Sequence, residues 1–282
     1  MSKLQEAQIA ITECPTCGAG FMGKFCYACG EKQCTDKDLS LKKFAEQTVD
    51  IFTHFDGKFF LSMKYLLFYP GKLTTEFLAG RRVKLMKPLQ LYIIINIVYF
   101  FLLKQVDLFL QYAKYMVQGK GAVADASRHL VAVGAAHKGI STQAYIEEFD
   151  KTLPDTAKAF IILLIPLLAI GLWAINITKQ KKIVPHIVFA THFFSFLLVF
   201  FMIFAALVIF PISKTDFFKD HRQLIISLIV VPIIWYMYAS LKRVYRQSVF
   251  ITTLKTVAFL AWFIAVIVLY RNGIAYVHYA LH

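Results

Sequence analysis

Two Cys-x-x-Cys-Gly runs carry the most specific chemistry in this chain: Cys14-Pro15-Thr16-Cys17-Gly18 and Cys26-Tyr27-Ala28-Cys29-Gly30. A two-residue gap lets one tight turn present a pair of sulfurs. The glycine behind each pair can take the positive φ that turns backbone N–H groups toward them. Eight residues separate the pairs, enough for a short hairpin to bring them face to face. The spacing predicts a metal held by Cys14, Cys17, Cys26 and Cys29, with Zn²⁺ ahead of a rubredoxin-like iron, whose knuckles look similar. Four sulfurs close the coordination shell and leave no place for a water, so the expected ion is structural. Cys34 is left over and reads as a plain thiol.

What must position these cysteines is mostly membrane. The 282 residues are 58% hydrophobic and only 17% charged, against about a quarter charged in soluble domains. All five cysteines lie between Cys14 and Cys34. A disulfide framework would spread them over the fold, so the clustering points to metal in a reducing compartment. No apolar run of span length comes before Pro88, and the first residues do not read as a secretory signal.

Five runs are apolar enough to cross ~30 Å of hydrocarbon: Pro88–Leu103, Ala157–Ile177, Pro185–Phe210, Leu224–Leu241 and Ile251–Tyr270. The first is the shortest and is expected to tilt or to continue toward Leu110. Arg81, Arg82, Lys84 and Lys87 precede the first span; Lys179, Lys181 and Lys182 follow the second; Lys242, Arg243, Arg246 and Lys255 join the fourth to the fifth. The other connections mix both signs. Positive charge near span ends marks the cytoplasmic side, which predicts a cytoplasmic N-terminus and an external C-terminus. The expected fold is an all-α polytopic membrane protein of about five transmembrane helices behind a small four-cysteine zinc ribbon. Its parts are the ribbon (1–36), a juxtamembrane region (37–87) and the membrane domain (88–282), with an external loop at about 104–156. Within that loop, Val106–Gln118 and Thr142–Lys151 look helical, with Ser141 as a cap.

The juxtamembrane region has its own pattern. Leu41, Phe44, Thr48, Ile51 and Phe55 recur at helical spacing opposite Lys42, Lys43, Glu46 and Asp50, which predicts an amphipathic helix. Lys58–Tyr69 is apolar nearly all round yet too short to span, as an interfacial or shallow re-entrant helix would be. Pro70-Gly71 turns the chain, Leu73 to Ala79 makes a further short helix, and Gly80 suits its C-terminal cap. Arg81, Arg82, Lys84 and Lys87 fix topology, and they also suit anionic lipid headgroups, at about 1 kcal/mol per charge.

This order of knuckle pair, amphipathic stretch, Pro70-Gly71, Gly80-Arg81-Arg82 and Pro88 resembles an uncharacterised bacterial membrane-protein family, a domain of unknown function with an N-terminal zinc-ribbon-like element. The resemblance is strongest over residues 14–100. It implies zinc at the four cysteines, a cytoplasmic N-terminus and the bacterial inner membrane, and it supplies no activity. More distantly, five spans with a cytoplasmic start are similar in architecture to Yip1-type proteins.

Inside the spans, Asn96 and His192 sit at similar depths, eight and seven residues beyond Pro88 and Pro185, and could bond across helices. His186 lies nearer the interface, where water reaches it; Pro166 and Pro232 should kink their helices; Trp173, Trp235 and Tyr236 read as interface residues. No carboxylate lies within a span, and no phosphate loop, His-Glu-x-x-His or nucleophile–base pair occurs. An enzyme is not expected. The ribbon interior carries one basic residue, Lys24, so nucleic acid is a poor partner. The sequence favours an adaptor or organiser that docks a protein through the ribbon while its helices contact membrane lipid. The alternative is a small transporter, channel or lipid-handling protein, working as a homo-oligomer around Asn96 and His192.

Overall fold

Apolar runs without charged residues must satisfy their backbone internally, and helices do so segment by segment. The computed structural model describes residues 12–33, 57–103, 112–212 and 221–281. Cys34, the amphipathic stretch from Leu41 to Phe55 and the expected continuation toward Leu110 lie outside the described residues.

The ribbon comes first. Strands β1 (Thr12–Glu13) and β2 (Gly20–Phe21) pair antiparallel, with Thr12 opposite Phe21, around the first knuckle. A bridge from Phe25 to Lys32 does the same around the second. Each pair thus has its own small hairpin, where the spacing suggested a single hairpin between them.

A helical hairpin follows: α1 (Gly57–Phe68), the turn at Pro70-Gly71, and α2 (Lys72–Leu78). Gly71 has φ 74°, and a Cβ there would lie 2.9 Å from the backbone oxygen of Ser240. Glycine is what lets the turn press so closely on another helix. Tyr236 Oη donates to Leu66 O (2.7 Å) and Arg243 to Pro70 O (2.7 Å), so the hairpin is fastened into the bundle and does not merely lie on it.

Helix α3 (Pro88–Leu102) starts with proline in its first turn, where no N–H is missed. Its 15 residues reach about 22 Å. Further along come α4 (Ala113–Gln118), α5 (Ala122–Lys138) and α6 (Thr142–Phe160). Ser141 caps α6 by accepting from Ala144 N. Helix α5 adds to the two helices expected over Val106–Gln118 and Thr142–Lys151; both its ends are set by glycines, Gly121 and Gly139.

The second expected span is not one straight helix. After α6 the chain tightens over Ile161–Leu163 and resumes as α7 (Leu164–Asn176), bent by 54° between Thr142–Ala157 and Ile161–Asn176. Pro166 lies just past the break, and its missing N–H and its ring disfavour a regular turn one step upstream. The remaining helices are α8 (Val184–Phe204, continued through a wide turn to Ile212), α9 (Arg222–Tyr245) and α10 (Val249–Leu281). Three described helices are long and apolar enough to cross a membrane: Val184–Ile209, Gln223–Tyr245 and Val249–Leu281. The bent pair makes a fourth if counted as one crossing, and α3 is apolar but shorter.

Helix α8 is apolar on every side and buried on almost every side, the expected fate of such a helix; α1, α2, α3, α7 and α9 all touch it. The core runs along it through Tyr92, Phe193, Phe194 and Phe259. A second core lies elsewhere, where Met116, Val131, Tyr145, Phe149 and Leu153 of α4–α6 meet Ile274 and Ala275 of α10. That helix runs on to Leu281, well past the expected end at Tyr270, and this contact is why.

Candidate metal centre and the surfaces around it

The four sulfurs of Cys14, Cys17, Cys26 and Cys29 lie within 4.8 Å of one another. Cys14 and Cys29 are 3.5 Å apart, Cys17 and Cys26 3.6 Å. A tetrahedron of sulfurs at ~2.3 Å from one ion has edges of ~3.8 Å, so the cluster has the size a single thiolate-bound metal requires. The knuckles are built as the glycines suggest: Gly18 N donates to Cys14 O (2.9 Å), Gly30 N to Cys26 O (2.8 Å), and both glycines have positive φ (75° and 74°). Burial opposes ionisation of Cys14, but the N–H groups of Cys17 and Thr16 aimed at its sulfur outweigh that and bring its thiol down to about 7. At Cys29 the Glu31 N–H also favours the thiolate, yet burial and the sulfurs of Cys14, Cys17 and Cys26 push it up to about 12. Four crowded thiols cannot all ionise without a cation between them.

Glu31 is the residue that sequence reasoning missed. It is 2% exposed, and its Oε2 accepts from Thr16 Oγ1 (2.7 Å), Arg82 N (2.8 Å) and Val83 N (3.0 Å). One carboxylate oxygen joins both knuckles to the turn between α2 and α3. Its partners on that turn are 51 and 52 positions away, so no local pattern announces them.

The expected basic quartet is largely engaged. Arg81 is ion-paired with Glu76, and the Glu76 carboxylate keeps its guanidinium pKa above the usual value. The Arg82 guanidinium lies 4.3 Å over the Phe77 ring and donates to Phe77 O (3.1 Å). Lys87 is half-buried and Lys84 exposed. Elsewhere the ribbon turns large apolar groups outward, with Met22 57%, Phe25 60% and Tyr27 81% exposed.

Within the membrane bundle His192 and Asn96 are not joined. His192 Nδ1 bonds Thr74 Oγ1 of the hairpin (2.9 Å), while Asn96 is half-buried on α3. Residue spacing fixes depth along a helix but not the direction a side chain faces. The other His192 nitrogen and Ser240 Oγ are buried without a hydrogen-bond partner and face a small cavity lined also by Gly71, Thr74 and Tyr236. Two expected interface residues prove internal. His186 is fully buried, bonding Tyr245 Oη (2.7 Å) and Gln180 O (3.1 Å); Tyr236 stacks on Phe196 with ring centres 3.5 Å apart. In both, a hydrogen bond inside the bundle replaces the water that an interface position would supply.

A family model described as a protein of unknown function (DUF3667) matches residues 56–100. The match takes in the hairpin, the Arg81–Lys87 turn and all but the end of α3, and does not reach the cysteines. No curated protein and no solved structure matches the chain.

Proposed function

We propose that this is a non-enzymatic membrane adaptor of the bacterial inner membrane, with a structural Zn²⁺ at Cys14, Cys17, Cys26 and Cys29. Its chain crosses five times, α3 and the bent α6–α7 pair included, from a cytoplasmic N-terminus to an external C-terminus. The ribbon docks a protein partner at the cytoplasmic face. The observation that carries this reading is the outward exposure of Met22, Phe25 and Tyr27 on a ribbon that Glu31 holds against the membrane domain. Aromatic side chains on a rigid, anchored support lose little freedom when buried by a partner, which is how interface anchors work. Two lysines on the described ribbon, Lys24 and Lys32, give nucleic acid little to bind.

Crosslinking from native membranes tests it, comparing the intact protein with a Phe25→Ser/Tyr27→Ser variant that keeps all four cysteines. The variant should retain one zinc per chain and lose the crosslinked species. An unchanged set of crosslinks, with zinc still bound, overturns docking through the ribbon.

The alternative, a small transporter, channel or lipid-handling protein, draws on the cavity faced by His192 Nε2 and Ser240 Oγ. Buried polar groups without partners inside a membrane bundle mark pathways in many such proteins. The cavity has room for about one water, which favours a helix-binding role over a substrate site.

A further inference from the structure

The connection between α7 and α8 is held in one shape by bonds that converge on Asn176. This side chain is fully buried; its Nδ2 donates to Leu172 O (2.9 Å), and its Oδ1 accepts from Lys255 Nζ of α10 (2.9 Å). The backbone N–H groups of Lys179 and Gln180 both donate to Asn176 O (2.9 Å each). Trp173 Nε1 donates to Lys181 O (3.0 Å), and His186 holds Gln180 O. The Lys179 backbone and the Lys255 ammonium are thus both bonded to Asn176, so the two lysines flank one residue.

Neither ammonium has a carboxylate partner among the described residues. The runs 176–186 and 242–255 contain no acid at all. Two like charges flanking one residue, Lys255 half-buried and Lys179 exposed, repel, and an anion between them removes the repulsion. Lys255 spends one N–H on Asn176 and keeps two for a ligand. Ile177 and Leu254, close to the two lysines in the chain, and Phe250, in the first turn of α10, are exposed, an apolar surface on which acyl chains would lie.

We propose that Lys179 and Lys255 form a receptor for the phosphate of an anionic phospholipid at the joined ends of α7 and α10. The recognised chemistry is a phosphate monoanion; the flanking apolar surface assigns it to lipid instead of free phosphate. This site is separate from the Arg81–Lys87 turn, whose arginines are already engaged.

The test uses the full chain in detergent, titrated with phosphatidylglycerol or phosphatidylcholine and read by native mass spectrometry, with inorganic phosphate as competitor. Phosphatidylglycerol should be retained above phosphatidylcholine. Lys179→Gln should cut that retention about fivefold, and Lys179→Gln/Lys255→Gln about thirtyfold, with phosphatidylcholine unchanged. Because Lys255 bonds a buried side chain, the exposed Lys179→Glu variant provides a control that leaves that bond intact; it should lose more than Lys179→Gln. Equal phosphatidylglycerol retention by wild type and Lys179→Glu overturns the site. Complete displacement by millimolar inorganic phosphate overturns the lipid assignment.

Discussion

A buried carboxylate is costly unless donors surround it, and Glu31 has three within 3.0 Å on one oxygen. Two are backbone N–H groups of Arg82 and Val83, in the turn between two helices. Removing the acceptor strands them, at about 1–3 kcal/mol for each buried donor left unmet. Glu31→Ala should therefore raise amide exchange at Arg82 and Val83 by about tenfold or more. Glu31→Gln keeps a carbonyl oxygen in place and should stay close to wild type. Equal exchange at these two amides in wild type and Glu31→Ala would sink the latch. The cysteines themselves were legible because metal chemistry dictates both residue type and spacing over a few positions. Glu31 was not, since its role depends on a contact across the intervening chain.

At the scale of elements, α6 and α10 are joined through one buried imidazole. His278 Nε2 bonds Thr152 Oγ1 (3.0 Å), its Nδ1 bonds Thr156 Oγ1 (2.7 Å), and its ring meets Phe149 edge-on at 4.5 Å. The two threonines, one helical turn apart, present their hydroxyls on one face of α6. His278→Ala leaves a void and the Thr156 hydroxyl to find a new partner, while Thr152 Oγ1 keeps its bond to Glu148 O (3.1 Å), a loss of about 2–4 kcal/mol. Amide exchange over residues 274–281 should rise sharply while that of α8 stays unchanged; protection as in wild type would show that the apolar contacts alone dock the helix end. Apolar runs led by Pro88 and Pro185 made the spans readable, and Pro70-Gly71 the hairpin turn. The far end of α10 was not readable, because Arg271, Asn272 and Gly273 resemble a span's close. Only packing against α4–α6 keeps that end helical. Likewise the periodicity of α8, apolar on all sides, gives no facing direction, so His192 could not be matched with Thr74 from sequence.

Across the whole molecule, charge and contacts divide the bundle into two ends. Arg243 reaches Pro70 O, His186 ties Gln180 to Tyr245, and Lys255 meets Asn176, so the hairpin turn and the connections α7–α8 and α9–α10 share one end. Glu31 brings the ribbon to the Arg82-Val83 turn, and Phe77 and Val184 pack together beside it. The other end holds α4–α6 against the tail of α10, where acids such as Asp125, Glu147 and Glu148 mix with lysines. In the proposed topology the positive-inside rule puts the first end in the cytoplasm, and α10 then ends outside. Alkaline phosphatase, active only outside the cytoplasm, should be active when fused after Leu281 and inactive when fused after Tyr245. A chelator too polar to cross lipid should strip the proposed ion from inverted membrane vesicles and leave it in place in intact cells, since only in the vesicles does it reach a cytoplasmic ribbon. Activity of both fusions, or metal loss from intact cells, would place the ribbon on the wrong face and remove the basis for cytoplasmic docking.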